Sequence, residues 1–419
     1  MKNSIQVFFK KIYYPVYLII FLSLAGPNAE AQYFGFKINS GKISVRLEYT
    51  TLNNLVIIPV KLNNQVPLNL VMDTGVRSTI LTDRRFTDFL RLPYDRVITI
   101  NGPGDFSTLE AYVVTQIDLH LEGVTGYDQT ILVLSNDYLR LSSVLGSQVH
   151  GMIGYDFYNR FVMDFDFPNN TVLLKEPRKF VPPKNYCELP LMIEDTKPYI
   201  WATITTGDSA TIRVKLMIDT GASHSLLLKE DPDLGILVPE KNITSEIGRG
   251  LGGSIEGKIG KINSLTIGDF TFRDVITSFP DPDNYPDTLS IIDRNGTIGG
   301  EILSRFRMFI DYRHSKIYLR KNQNFTKKFG YNMSGISVIA EGKDLDNYRI
   351  SNVRKESPAD LAGVRVNDKI LTINGYNCED MTLGEIYKIF NYDPGKMIRV
   401  FLERDNEVVK TQFELVDPI

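Results

Sequence analysis

Leu216-Met217-Ile218-Asp219-Thr220-Gly221-Ala222-Ser223 repeats an earlier stretch, Leu70-Val71-Met72-Asp73-Thr74-Gly75-Val76-Arg77, and in both an apolar run ends in Asp-Thr-Gly. An apolar strand running into that tripeptide sets a carboxylate at the strand's end. It leaves the threonine hydroxyl free to bond a neighbouring loop and uses glycine for the tight turn that lets two such loops meet. By chance a tripeptide of this kind is expected roughly 0.1 times in a chain of 419 residues. Two copies, 146 residues apart and each behind an apolar run, point to a duplicated unit.

The duplication recurs downstream. Residues 151–174 align with 296–319 at a constant offset of 145, and Gly, Ile, Gly, Arg, Phe, Met, Asp and Leu coincide. Those eight identities in 24 positions compare with about 1.5 expected from composition. Each copy carries one aspartate of the tripeptide and one apolar-Gly element, Ile153-Gly154 or Ile298-Gly299.

Lys2, Lys10 and Lys11 precede an apolar segment, Ile12 to Ala25, that is interrupted by Pro15 and followed by Ala29-Glu30-Ala31. This reads as a signal peptide over residues 1–31, cleaved after Ala31, and too short in its apolar core for the ~20 residues of a membrane span. The protein is therefore expected to be exported, periplasmic or secreted, with no membrane span after cleavage. The formal charge is −3, and about −5 without the first 31 residues, so nothing asks for nucleic acid or an acidic membrane surface. Cys187 and Cys378 are the chain's two cysteines; too few for a disulfide scaffold, they are expected to be unpaired and mostly buried.

From Tyr33 the pattern is strand-like. Ile43 to Thr50 alternates, Leu55 to Lys61 is β-branched and apolar, and Asn63-Asn64 marks a turn before Val66 to Met72. Two glycine-rich breaks, Asn101-Gly102-Pro103-Gly104-Asp105 and Gly248-Arg249-Gly250-Leu251-Gly252-Gly253, stand in equivalent places and are candidate flaps. Pro182-Pro183 marks the seam between the copies, giving a first lobe over 32–185 and a second over 186–322. After a polar connection, Lys321 to Tyr331, the texture changes and a third module covers 331–419, ending its pattern with helical spacing at Leu383, Ile386 and Ile389.

The paired Asp-Thr-Gly, each followed after 77 or 78 residues by its apolar-Gly element, resembles the pepsin and retropepsin class of aspartic peptidases. The resemblance covers residues 33–322. It implies a mainly β fold of two pepsin-like β-barrel lobes, with Asp73 and Asp219 as the catalytic dyad. Thr74 and Thr220 would be the hydrogen-bonding pair across the lobes, Gly75 and Gly221 the turn residues, and Ile153-Gly154 and Ile298-Gly299 the strands threading beside the loops. Ala222 looks like the retroviral type, while fusion of both halves looks like pepsin. The departure is Val76, where the family has a small residue. The third module, through Ser357-Pro358-Ala359 to Gly363, Asn367-Asp368-Lys369-Ile370 and Ile373-Asn374-Gly375, resembles a PDZ domain of bacterial envelope proteases, with Asn367 in place of the usual glycine. Its peptide-binding loop would fall at Ser334, Gly335 and Ile336, and peptide termini bound by strand addition are the implied partners.

Two carboxylates at hydrogen-bonding distance cannot both ionise easily and share one proton. The ionised member takes a proton from a water that attacks the peptide carbonyl, and the protonated member steadies the developing oxyanion. This predicts an aspartic endopeptidase acting on protein or peptide substrates, with no metal and no cofactor, and a monomer. Pepsin-like members carry a Ser or Thr hydroxyl on the carboxylate; Val76 and Ala222 supply none, so the optimum is expected at about pH 5 to 7. The alternative reading is a catalytically inactive exported adaptor using the same lobes and PDZ. A glycosidase also needs two acids but gives no reason for duplicated Asp-Thr-Gly loops. His224, beside Ser223 and Ser225, is expected to be a solvated neighbour, since adjacent residues on a strand face opposite ways.

Overall fold

The computed structural model describes residues 34–102, 104, 108–207, 211–284, 293–391 and 393–419. The segment read as a signal peptide, and Pro103 and Asp105 of the first glycine-rich break, lie outside the described residues.

Each lobe is built on a hairpin that delivers its aspartate. In the first, Leu55–Leu62 is turned by Asn63 and Asn64, with φ of 47° and 55°, a left-handed conformation that asparagine enters more readily than most residues. The chain returns as Val66–Met72, with Ile57 opposite Val71. In the second lobe Lys197–Thr205 and Thr211–Ile218 repeat this, with Tyr199 opposite Met217. Beside each returning strand runs a short parallel one, Gly151–Ile153 next to Leu70–Met72 and Gly296–Ile298 next to Leu216–Ile218. The two lobe sheets have nine and eight strands.

A third, six-stranded sheet is shared between the lobes. Val162–Asp166 of the first copy pairs antiparallel with Phe306–Asp311 of the second, so that Val162 faces Asp311 and Asp166 faces Arg307. These residues are equivalent under the repeat, and the pairing places a pseudo-twofold axis between the copies. Arg307 ties the joint by donating to Asp164 at 2.6 Å and to Asp166. One continuous apolar core runs under both lobes and this sheet, including Ile58, Leu70, Phe157, Phe165, Leu216, Phe306 and Met308.

The C-terminal module has its own core around Ile350, Ile373, Ile386, Phe390 and Val400. Its helix Leu383–Phe390 opens on a capping box of Thr382 and Glu385, which satisfies two of the backbone donors that a helix start leaves free. Leu383, Ile386 and Ile389, the helical triad of the sequence, are all buried. Asn367 holds φ of 72°, so it does the conformational work of the glycine it replaces.

The polar stretch Lys321–Tyr331 is not a loose connection. Phe325 and Phe329 pack against the lobe core, with Phe325 4.8 Å centroid to centroid from Phe272. Arg305, 3% exposed, donates to the carbonyls of Lys327 and Lys328 and lies 3.9 Å over the Phe329 ring. Two aromatics and a buried cation anchor a segment whose composition reads as solvent-exposed.

Both glycine-rich breaks are hairpin tips, following Arg96–Ile100 and Asn242–Gly250. The second closes in a two-residue turn, Leu251-Gly252, between paired Gly250 and Gly253, and the register slips between Glu246 and Gly248. Its extra glycines thus serve a bulge as well as a turn. The tips meet each other. A Cβ on Gly102 would stand 2.6 Å from Leu251 Cβ, and one on Gly104 would stand 2.5 Å from the backbone of Gly252 and Gly253.

Candidate active site

The strands Val66–Met72 and Thr211–Ile218 end at the middle of the molecule and bring their Asp-Thr-Gly loops face to face. Thr74 Oγ1 donates to Ile218 O at 2.7 Å and accepts from Thr220 N at 3.1 Å. Thr220 Oγ1 donates to Met72 O at 2.7 Å and accepts from Thr74 N at 3.2 Å. Both threonines are buried, so four reciprocal bonds lock the loops in a water-poor interior where leaving one unmade costs about 1–3 kcal/mol. Tyr158 adds a fifth, its hydroxyl 2.9 Å from Thr220 Oγ1. The equivalent residue of the second copy is Leu303, so nothing in the repeat marks Tyr158, and the sequence reading missed it.

Asp73 Oδ1 accepts from Gly75 N at 2.6 Å, and Asp219 Oδ1 accepts from Gly221 N at 2.9 Å. Closeness requires the glycine at 221, where a Cβ would fall 2.3 Å from Asp73 Oδ2; a Cβ on Gly75 would be tight at 3.0 Å from Asp73 Oδ1 and in ordinary contact, 3.4 Å, with Asp219 Oδ2. The two carboxyl groups lie close enough to act on each other. Burial, and for Asp73 also the charge of Asp219, drives both pKa values up. The pair therefore holds a proton well above the ordinary carboxylate range, as two like charges in one desolvated site must.

Ile153-Gly154 and Ile298-Gly299 lie against these loops. Asp73 N donates to Ile153 O and Asp219 N donates to Ile298 O, each at 3.0 Å. Gly154 and Gly299 pass so near the chain after each tripeptide that a Cβ would meet Val76 O at 2.1 Å or His224 O at 2.2 Å. Val76 causes no misfit. Its carbonyl accepts from Tyr155 N at 3.0 Å, and its side chain packs on the apolar cluster of Leu55, Ile57 and Val71, which also takes in Leu251 of the second flap. The second flap and the first Asp-Thr-Gly loop thus share one apolar patch.

Ser334, Gly335 and Ile336 come together as a loop, but their groups are used within the module. Ser334 Oγ accepts from Ile336 N at 3.1 Å and donates to Asn332 Oδ1, and Gly335 O accepts from Arg354 N. On the following strand, Ile336–Glu341, the Val338 amide donates to Tyr387 Oη at 2.9 Å, and that hydroxyl donates back to Val338 O at 3.2 Å. Gly146 of the first lobe abuts Leu383 at the start of the facing helix.

Two further expectations need correction. His224 is not a solvated neighbour: its Nε2 is shut off from solvent without a partner, and burial pushes its pKa down to about 4. The residue as a whole is half-buried, with its carbonyl packed against Gly299 and accepting from Glu301 N. Cys378 is buried as expected, whereas Cys187 is only half-buried; both are free thiols. Among the described residues no group of His, Cys, Asp and Glu is placed to hold a metal ion. No helix there is long and apolar enough to cross a membrane. A cavity of about 1090 Å³ lies away from the dyad, between the strand Asn242–Gly250 and the C-terminal module.

Residues 58–157 and 202–301 each match the aspartyl protease family model, and residues 349–404 match the PDZ domain model. No curated protein matches the chain. Among solved structures, the crystal structure of aspartic proteinase from Irpex lacteus is similar at 14% identity, with 68% of this chain and 99% of that one covered and a TM-score of 0.42. The repeated lobes, the joined Asp-Thr-Gly loops and the doubled family match define a bilobal chain of the aspartyl protease type. It carries a PDZ domain at its C-terminal end.

Proposed function

We propose that this protein is an aspartic endopeptidase in which Asp73 and Asp219 share one proton and activate a water against a peptide carbonyl. The observation that carries the reading is the close pair of carboxyls, each accepting from the glycine N–H of its own loop, beneath meeting flaps. The ionised carboxyl accepts the water's proton while the protonated one donates to the carbonyl oxygen, and the proton positions exchange as the tetrahedral intermediate collapses. The threonine lattice fixes both loops, so little reorganisation is left for the transition state. The PDZ domain would hold a peptide segment of the substrate or of a partner along the strand Ile336–Glu341, once Tyr387 releases Val338. The N-terminal apolar segment supports export, and the protein would work outside the cytosol.

Digestion of unfolded casein by the purified protein, beside Asp219→Asn, tests the reading. Fragments from the wild type alone support it. Intact casein in both leaves the adaptor reading, in which the lobes bind peptide without cutting it.

A further inference from the structure

The two lobes present different chemistry to the dyad at equivalent positions. Ile57 pairs with Val71, and two residues beyond that last pair the same register would bring Leu55 level with Asp73. Tyr199 pairs with Met217, and two residues beyond it the register would likewise bring Lys197 level with Asp219. Gly151 beside Leu70 and Gly296 beside Leu216 make Val149 and Arg294 equivalent in the same way. The first-lobe residues Leu55, Val71 and Val149 form an apolar wall together with Val76 and Leu251. The second-lobe residues are Lys197, Met217 and Arg294.

The two cations are held at the site and are not waving in solvent. Arg294 Nη1 lies 3.0 Å from Met217 Sδ, and Met217, two residues before Asp219, shares its strand face. The Lys197 side chain is 21% exposed, and its one carboxylate contact among the described residues is Asp195 at 4.0 Å, itself 75% exposed. No ion pair of Arg294 occurs among the described residues. Both charges act on Asp219, and both pull its pKa down against the burial that raises it. Cations partly desolvated, with no closer carboxylate than Asp195 among the described residues apart from the pair itself, and beside the reacting centre, favour a negatively charged visitor.

We propose that Lys197 and Arg294 form a carboxylate-binding subsite on the second-lobe wall of the cleft, so that cleavage occurs beside an acidic group with an apolar residue against the first-lobe wall. This rests on the peptidase reading above. The carboxylate could be an Asp or Glu side chain or the free C-terminus of a peptide, since both offer the same two oxygens to a lysine and an arginine.

The test is a set of peptides with one apolar residue at the bond and Glu or Gln on its other side, each made with a free and an amidated C-terminus. They are hydrolysed by the wild type and by Lys197→Leu/Arg294→Val, which installs the first-lobe residues. Taking the Glu/Gln ratio of kcat/KM within each protein cancels the effect of the lost charges on the dyad itself. The wild type is expected to favour Glu by about tenfold or more, as a charge-assisted contact should, and the double variant to fall to a ratio near one. A preference for the free over the amidated terminus that vanishes in the variant supports the subsite equally and names the terminus as its ligand. Wild-type ratios near one in both comparisons overturn the subsite while leaving the peptidase intact. Failure to cut any peptide or casein overturns both.

Discussion

At the scale of single residues, the proposed activity rests on the Asp73/Asp219 pair, with the five hydrogen bonds of Thr74, Thr220 and Tyr158 beneath it. Asp73→Asn and Asp219→Asn should each lower kcat/KM by at least about 100-fold, because acid and base roles belong to the pair and not to either member. Retention of a tenth of the activity by either pure variant would refute that assignment. The same substitutions should stabilise the fold. The carboxyls' folded pKa values are raised, so their contribution to stability is full below the unfolded value of about 3.9 and is lost as pH rises through the folded values. The melting-temperature advantage of the Asn variants over wild type should therefore grow from pH 4 to pH 8. An advantage that shrinks over that range would mean the pair is not proton-sharing.

The raised pair also sets the working pH. Neither Val76 nor Ala222 offers a hydroxyl to the carboxylates, while Lys197 and Arg294 oppose the rise and the buried tyrosines Tyr158 and Tyr312 lie within electrostatic reach. We expect the pH–rate profile to peak at about pH 5 to 7, above the range of the pepsin dyad. A maximum below about pH 4 would show that the two cations outweigh burial. Tyr158→Phe removes one donor to Thr220 and should cost about 1 kcal/mol, read as a lowered melting temperature.

At the scale of elements, the strand Ile336–Glu341 and the helix Leu383–Phe390 would form the proposed peptide slot, and the Tyr387 hydroxyl bridges the two at Val338. Tyr387→Phe should free that amide and carbonyl and tighten binding of C-terminal peptides to the full chain by severalfold, measured by calorimetry. Unchanged affinity would show that Tyr387 is not the obstacle. The connection Lys321–Tyr331 is an element in its own right. Phe329 lies under Arg305, and Phe329→Ala should destabilise the protein by roughly 3 kcal/mol, as seen in denaturant unfolding.

At the scale of the whole molecule, the PDZ domain is clamped from both sides. Gln148 Nε2 of the first lobe donates to Lys343 O, and Lys261 of the second donates to Asp417 at 2.9 Å and to Ile419 O at 2.7 Å. Since the domain also has a separate core, deletion of residues 331–419 should leave the lobes able to melt cooperatively. It should raise KM for long unfolded substrates and leave short-peptide cleavage nearly unchanged. Loss of cooperative melting on deletion would assign the domain to holding the lobes together.

The duplicated Asp-Thr-Gly, its apolar approach and the downstream Ile-Gly element were legible because the backbone enforces them locally. Strand periodicity, the Asp-Thr-Gly tripeptide and the constant offset between copies are all written along one chain. That is why the positions of Asp73, Thr74, Gly75 and their partners could be read before any fold was known. The helix at Leu383 was legible for the same reason. What the sequence could not show is what depends on residues far apart meeting. Tyr158 reaches Thr220 across 62 positions, Leu251 closes on Gly102 from the other lobe, and Phe325 and Phe329 pin a polar connection against the core. The facing of Leu55 and Val149 against Lys197 and Arg294 belongs here too. It needs both the register of two hairpins and the axis that brings them to one cleft, and pairing across that axis is fixed by packing, not by any local propensity.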